Sequence, residues 1–389
     1  MSRTRTPRYA NIHLLTDLPF SNPNRDDTGA PKTATYGDVL RGRMSSQALK
    51  RPARLDFEGR SGADLTHRSK YASRRLAEKV HTLLAEAGTS LDEKAKAKLD
   101  QSIAKEIGKL TGDSDDAKAT LVWLAEAELN ELAVKIAGKA GAEMDRADVD
   151  AVLSQQTDSL TIALFGRMFA NRADLTMEAA VQFGHAITTH EQQVDLDYFT
   201  AFDDLQASYD TPDKDGKVKG AGAGHLDVNE FTSGIFYRHI AIARDDLAAN
   251  WAPLADPPAD RAEIVDRLAA VVDSLLSTVP QGRASTASHD TPPRYVMVTF
   301  TPRPTSYAPA FETPVAASDQ GGYARPSVDA LAAYADKALR YVGEDQRIVF
   351  DLDDPDTLTF DTLVEKVATW LADVPRPSTP DAEQVTGAA

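Results

Sequence analysis

The feature that most constrains this chain is a change of hydrophobic period. Residues Tyr9 to Leu15 (YANIHLL) and Tyr295 to Phe300 (YVMVTF) read as strands near the two ends of the chain. Between them, from about Ser69 to Phe169, the pattern is helical. YASRRLAEKVHTLLAEAG ends at Gly88, which suits a helix C-terminus, and LDEKAKAKLDQSIAKEIGKL stops before Thr-Gly-Asp-Ser. In ATLVWLAEAELNELAVKIAGKAG the residues Leu121, Leu124, Leu129, Leu132 and Ile136 recur at helical spacing. Residues 183–202 are β-branched, aromatic and partly alternating, which predicts strands. Residues 208–225 make a Gly- and charge-rich loop, and 228–249 return to a helix-compatible pattern. DRLAAVVDSLLSTV and ALAAYADKALRYV read as helices. Strands that flank a helical block predict an α+β fold with a small, mostly antiparallel sheet and a long helical insertion. The tail 375–389 lacks anchoring apolar residues, so disorder is expected there.

The chain has 389 residues and no cysteine, which excludes disulfides and thiolate metal sites and leaves room for two or three lobes. No apolar run is long enough for a signal peptide or a membrane span, so a cytoplasmic protein with no membrane partner is expected. The net charge of −16 disfavours nucleic acid only as an average. Residues 1–75 hold 15 Lys and Arg against 7 Asp and Glu, and the remainder holds 28 against 52. Phosphate responds to the local potential, and a basic stripe on an acidic protein can hold RNA.

Catalytic motifs do not emerge. There is no P-loop and no nucleophile elbow. His190-Glu191 lacks the second histidine of a zinc motif, because position 194 is Val. The DKDG at 213–216 lacks the ligands of a calcium loop. Asp195 and Asp197, and the dispersed His185, His190, His225 and His239, read more readily as a solvated face and as packing residues than as a metal or nuclease site. No cofactor, metal or catalytic role is expected.

The informative segment is Arg41 to Arg54, RGRMSSQALKRPAR, with Arg41, Arg43, Lys50, Arg51 and Arg54 and no acid. Ser45 or Ser46 suits a helix N-cap, and a helix N-terminus attracts phosphate. Ser46, Lys50 and Arg54 share one helical face with Gln47 beside it, so hydroxyl, amide, ammonium and guanidinium meet on one surface. Pro52 predicts a kink. From the residues alone, phosphate binding and a solvated basic helix stand side by side. Three roles follow: an RNA-binding subunit, an RNA-processing nuclease, and a protein-only scaffold whose basic helix meets an acidic partner.

Eight strings in order go further. They are NIHLL at 11–15, NRDD at 24–27, R-x-SSQ-x-LKR at 43–51, GRM at 166–168, HAITTH at 185–190, FTAFDDLQ at 199–206, GHLDVNEFTSGIFYR at 224–238, and VP at 279–280 before a basic loop and a VMV strand. In these the chain resembles the CasC-type backbone subunits of type I-E CRISPR Cascade complexes. Pro52 and the long loop 208–223 depart from that pattern.

The resemblance implies a ferredoxin-like, RRM-like palm (1–58, 183–191 and 233–389), helical fingers (59–182) and a protruding thumb hairpin (192–232). It implies subunits that stack head to tail along a CRISPR RNA, each thumb displacing a nucleotide and leaving the guide open to pair with a target DNA strand. The partners so implied are the guide, the target strand, further copies of the chain, other Cascade subunits and a recruited helicase-nuclease. Carried over residue by residue, Ser45, Gln47, Lys50 and Arg54 look like guide-backbone contacts, Arg25 and Arg167 look similar in role, and Met168 looks like the apolar wedge at the displaced nucleotide.

Overall fold

A computed structural model describes residues 6–62, 64–111, 121–201, 225–255, 261–342 and 346–374. The tail 375–389 and the loop 208–223 lie outside the described residues. Helices and an antiparallel sheet give the α+β class expected.

The main sheet has nine strands among the described residues, more than the small sheet expected. Along its principal path the order is β11 (Gln346–Asp351), β10 (Pro293–Thr301), β1 (Tyr9–Ser21), β9 (His225–Ala243), β7 (Ala186–Thr188), β3 (Val39–Met44) and β2 (Thr33–Tyr36). Two further strands, β6 (Val181–Phe183) and β8 (Asp195–Ala201), pair with β9. β1 and β10 run antiparallel from Tyr9↔Thr301 to Thr16↔Pro293, with a register shift after Leu15. β8 and β9 form an antiparallel ladder from Asp195↔Phe231 to Ala201↔His225. A separate two-stranded ladder joins β4 (Thr66–Ser69) to β5 (Val122–Ala125).

The described residues group into two compact units. One draws on Met1–Phe57, Gln182–Ala241 and Asp273–Phe360; the other draws on Glu58–Val181, Ile242–Val272 and Asp361–Ala389. In the first unit both faces of the sheet are covered. Leu15, Ile235, Tyr237, Tyr295 and Met297 pack with Val328, Leu331 and Ala335 of helix Ala324–Val342. Leu18, Met44, Ala186 and Phe236 pack with Leu49 of helix Ser46–Ser61. Neighbours Phe236 and Tyr237 thus face opposite sides, as strand geometry requires.

In the second unit, Leu76, Val80 and Leu84 of helix Ala72–Glu86 meet Leu99, Ile103 and Ile107 of helix Glu93–Gly108 and Leu129, Leu132 and Ile136 of helix Glu126–Ala137. Helix Ala72–Glu86 ends in a Schellman turn, with Gly88 N–H on the Ala85 carbonyl, Thr89 N–H on the Leu84 carbonyl, and Gly88 at φ +70°.

Two expectations are corrected. Residues 228–243 are strand, and helix begins only at Arg244. From Ile235 to Ala243 the strand is buried on both faces and loses the polar alternation that would announce it. Helix Glu126–Ala137 also starts later than its periodic leucines suggest, since Val122–Ala125 is strand and Leu121 is 49% exposed. The amphipathic helix Phe360–Ala372 has no counterpart in the sequence reading.

Candidate nucleic-acid interface

Strand β3 runs directly into α1 (Ser46–Ser61). Ser45 is the N-cap: its Oγ accepts from Ala48 N–H at 3.3 Å. The helix is unbroken across Pro52. Leu49, Ala53 and Phe57 form its buried stripe at 0–3% exposure, and burying a leucine or phenylalanine side chain contributes about 2–3 kcal/mol. One residue further round, Ser46, Lys50 and Arg54 are half-buried, whereas Gln47, Arg51 and Leu55 are exposed. The Lys50 ammonium lies 5.7 Å from the centroid of the Phe183 ring, and burial pushes it below the usual lysine value.

Two loops converge on the start of this helix. The NRDD segment closes on itself: the Asp26 carboxylate accepts from Thr28 N–H and Oγ1 and from Ala30 N–H, while Lys32 N–H reaches the Asn24 carbonyl. The same Asn24 accepts from Ser45 N–H through Oδ1 at 2.8 Å. Exposed Arg25 is thereby tied to the N-terminus of α1. The second loop follows helix Arg261–Ser277. Buried Arg238 donates to the carbonyls of Leu276 and Thr278. Gly282 sits so close to the preceding loop that a Cβ there would lie 2.4 Å from the Pro23 carbonyl oxygen. Gln47, Arg51, Pro52, Leu55 and Gln281 line the shallow cleft between this loop and α1.

The other basic residues of the segment have different tasks. Arg41 is fully buried and donates to the carbonyls of Tyr36, Thr188 and Phe311 at 2.8–3.0 Å. Arg43 Nε donates to the Thr33 carbonyl, and its guanidinium meets His185 Nδ1 at 3.2 Å. Arg51, outside the contact set that the resemblance implies, is exposed in the open row with Gln47. Its place in that row follows from the stripe Leu49, Ala53, Phe57 once that stripe is known to be buried. Arg25, Ser45, Gln47, Lys50 and Arg54 therefore share one region of the first unit.

Arg167 and Met168 belong to the second unit. Gly166 ends the short helix Leu160–Phe165 at φ +75°, and a Cβ there would come within 2.7 Å of Ala179 N. Only glycine fits this position without strain. The next residue bonds back in both directions, Arg167 N–H to the Met177 carbonyl and Met177 N–H to the Arg167 carbonyl. The Arg167 side chain turns inward, 0% exposed, and grips both Glu128 carboxylate oxygens at 2.7 Å. Glu128 also accepts from Ala125 N–H and Thr157 Oγ1. Met168 points outward and is 77% exposed. The GRM string thus encodes a turn, an internal anchor and a projecting thioether.

His190 accepts from Ile235 N–H through Nε2 and stacks on Tyr323. Fully buried His13, beside His239, bonds the Tyr237 hydroxyl. No group of three or more His, Cys, Asp or Glu with metal-binding geometry occurs among the described residues. No helix of these residues is long and apolar enough to cross a membrane.

Comparison with known proteins gives a consistent picture. No curated protein matches the chain. Among solved structures it is similar to a chain of a CRISPR RNA-guided surveillance complex in a pre-nicking state, with 28% identity, a TM-score of 0.72 and coverage of 93% of this chain and 100% of that one. A chain of another CRISPR RNA-guided surveillance complex shares the fold at 24% identity and a TM-score of 0.58, with coverage of 93% and 99%. The model of the CT1975-like protein family matches residues 10–372. With nearly its whole length matched, the chain belongs to the CT1975-like protein family.

Proposed function

We propose that this chain is the CRISPR RNA-binding backbone subunit of a Cascade surveillance complex, a non-catalytic protein of the cytoplasm that polymerises along its guide. The observation that carries this reading is the tie between Asn24 and Ser45, which brings Arg25 beside the helix that Ser45 caps and that carries Gln47, Lys50 and Arg54 on its less buried side. Cations, an amide and a helix N-terminus in one region suit a sugar–phosphate backbone read without regard to sequence. The likeness to a chain of a pre-nicking surveillance complex at 28% identity supports the same reading.

In this proposal the strands and helices of 1–58, 183–191 and 233–389 make an RRM-like palm, and 59–182 make the fingers. The hairpin within 192–232 is a thumb that reaches the next copy. Met168 is the wedge at the displaced nucleotide. Arg167 acts on the RNA through the placement of Met168, since its own guanidinium is committed to Glu128. Other Cascade subunits, the target DNA strand and a recruited helicase-nuclease complete the set of partners. The test is RNA that co-purifies with the chain. Lys50→Ala/Arg54→Ala should release RNA that the wild type retains; equal RNA in both proteins contradicts the proposal.

A further inference from the structure

The basic stripe of the sequence continues past α1 into the second unit, where it meets an exposed aromatic ring. Between Thr66 and Lys79 the chain has five Lys and Arg and a single acid, Glu78. Arg68, at the end of β4, and Lys70, Tyr71, Arg74 and Arg75, at the start of helix Ala72–Glu86, are all exposed, the tyrosine at 47%.

The neighbouring carboxylate does not neutralise this surface. Glu126 is taken by His67 at 2.7 Å, Arg75 at 3.0 Å and Lys79 at 2.7 Å. Burial would raise its carboxyl, but hydrogen bonds from Lys79, Arg75 and His67 hold it down at about 2. Arg68, Lys70 and Arg74 make no ion pair among the described residues. Two of these cations gather on the ring instead, with Lys70 Nζ 5.0 Å and the Arg74 guanidinium 5.3 Å from the Tyr71 centroid.

A ring and three cations without a carboxylate select among ligands. An acidic peptide would use the charges and leave Tyr71 without a task. A duplex hides the faces of its bases, so the ring would again have nothing to stack on. A single strand uses both: any base stacks on the tyrosine, and flanking phosphates take the cations.

We propose that Arg68, Lys70, Tyr71 and Arg74 form a second nucleic-acid site, which holds a single strand by stacking a base on Tyr71 and pairing its phosphates with the three cations. This site lies outside α1 and goes beyond the guide-binding role. Stacking on a ring and pairing of phosphates accept any base, so the site should hold single strands with little regard to sequence.

The test uses the full chain with its bound RNA and measures fluorescence anisotropy with labelled oligo(dT) and oligo(rU). Tyr71→Ala should weaken binding by about tenfold or more, while Tyr71→Phe keeps wild-type affinity. Lys70→Gln/Arg74→Gln should weaken binding and reduce the slope of log affinity against log salt by about one to two. Equal affinity for the two oligonucleotides supports readout of base and phosphate alone. A preference for one supports the site and assigns the strand as DNA or RNA. The proposal is overturned if Tyr71→Ala binds both like the wild type, or if polyglutamate binds as tightly as they do. Lys50→Ala/Arg54→Ala separates the two claims. If it keeps its co-purifying RNA while Tyr71→Ala loses oligo(dT), the guide-binding reading fails and this site stands. The opposite pattern removes only this site.

Discussion

Each unit holds a fully buried arginine beside residues turned to solvent, and the two differ in what balances the charge. Arg41 spreads its donors over the backbone carbonyls of Tyr36, Thr188 and Phe311, with no carboxylate in its shell of hydrogen bonds. Arg167 faces the Glu128 carboxylate, itself buried at 8% exposure. Removing Arg41 would orphan neutral acceptors, whereas removing Arg167 would strand a charge. A positive residue within a motif can thus be internal scaffold while a neighbour such as Arg51 or Met168 is exposed.

The largest effect that tests this difference should come from Arg167→Ala. Leaving Glu128 buried without its partner should cost about 3–5 kcal/mol in urea unfolding. Arg167→Met combined with Glu128→Gln should recover much of the loss; no recovery would mean that the ion pair is not what the turn depends on.

The first unit carries its own weak point at low pH. His13 and His239 stack at 5.2 Å, and burial lowers both, His239 to about 4. The unfolded histidine titrates near 6.5, so between these values the unfolded chain binds the extra proton. Stability should be full above pH 6.5 and fall as the pH drops towards 4, by on the order of 3 kcal/mol from His239 alone. Thermal melting across this range would show the slope, and His239→Gln should flatten it. A slope of opposite sign would place these rings elsewhere.

Arg41→Ala should cost less than Arg167→Ala, about 2–3 kcal/mol, because carbonyls left without a donor carry no net charge. A loss larger than that of Arg167→Ala would reverse the comparison. Smallest on stability are the outward residues. Arg25→Ala and Met168→Ala should stay within about 0.5 kcal/mol in urea unfolding, while RNA retention falls in a filter-binding assay. A stability loss like that of the buried arginines would make them scaffold too.

Local chemistry was legible in the sequence where it follows from a few adjacent residues. The Gly88 turn, strand β10, and Ser45 as one of two candidate caps all follow from patterns that need no distant partner. Residues whose role depends on a distant contact were not legible. Nothing in the string separates Arg41 from Lys50, because the carbonyls that claim Arg41 lie on strands and loops up to 270 residues away. The second half of β9 reads as helix-compatible because both its faces are buried from Ile235 to Ala243. Pro52 predicts a kink, and α1 continues through it to Ser61. The patch at 68–74 hides in the charge count of residues 1–75, because its meaning comes from a tyrosine ring and from the distant Glu126 that takes the other cations.

The most direct test of the central claim is size-exclusion chromatography of the purified chain before and after RNase, with Lys50→Ala/Arg54→Ala run alongside. The account predicts a large RNA-containing assembly that collapses on digestion and does not form in the double variant. An assembly that carries no RNA, or that elutes unchanged after digestion, would contradict guide binding and leave a protein-only scaffold in its place.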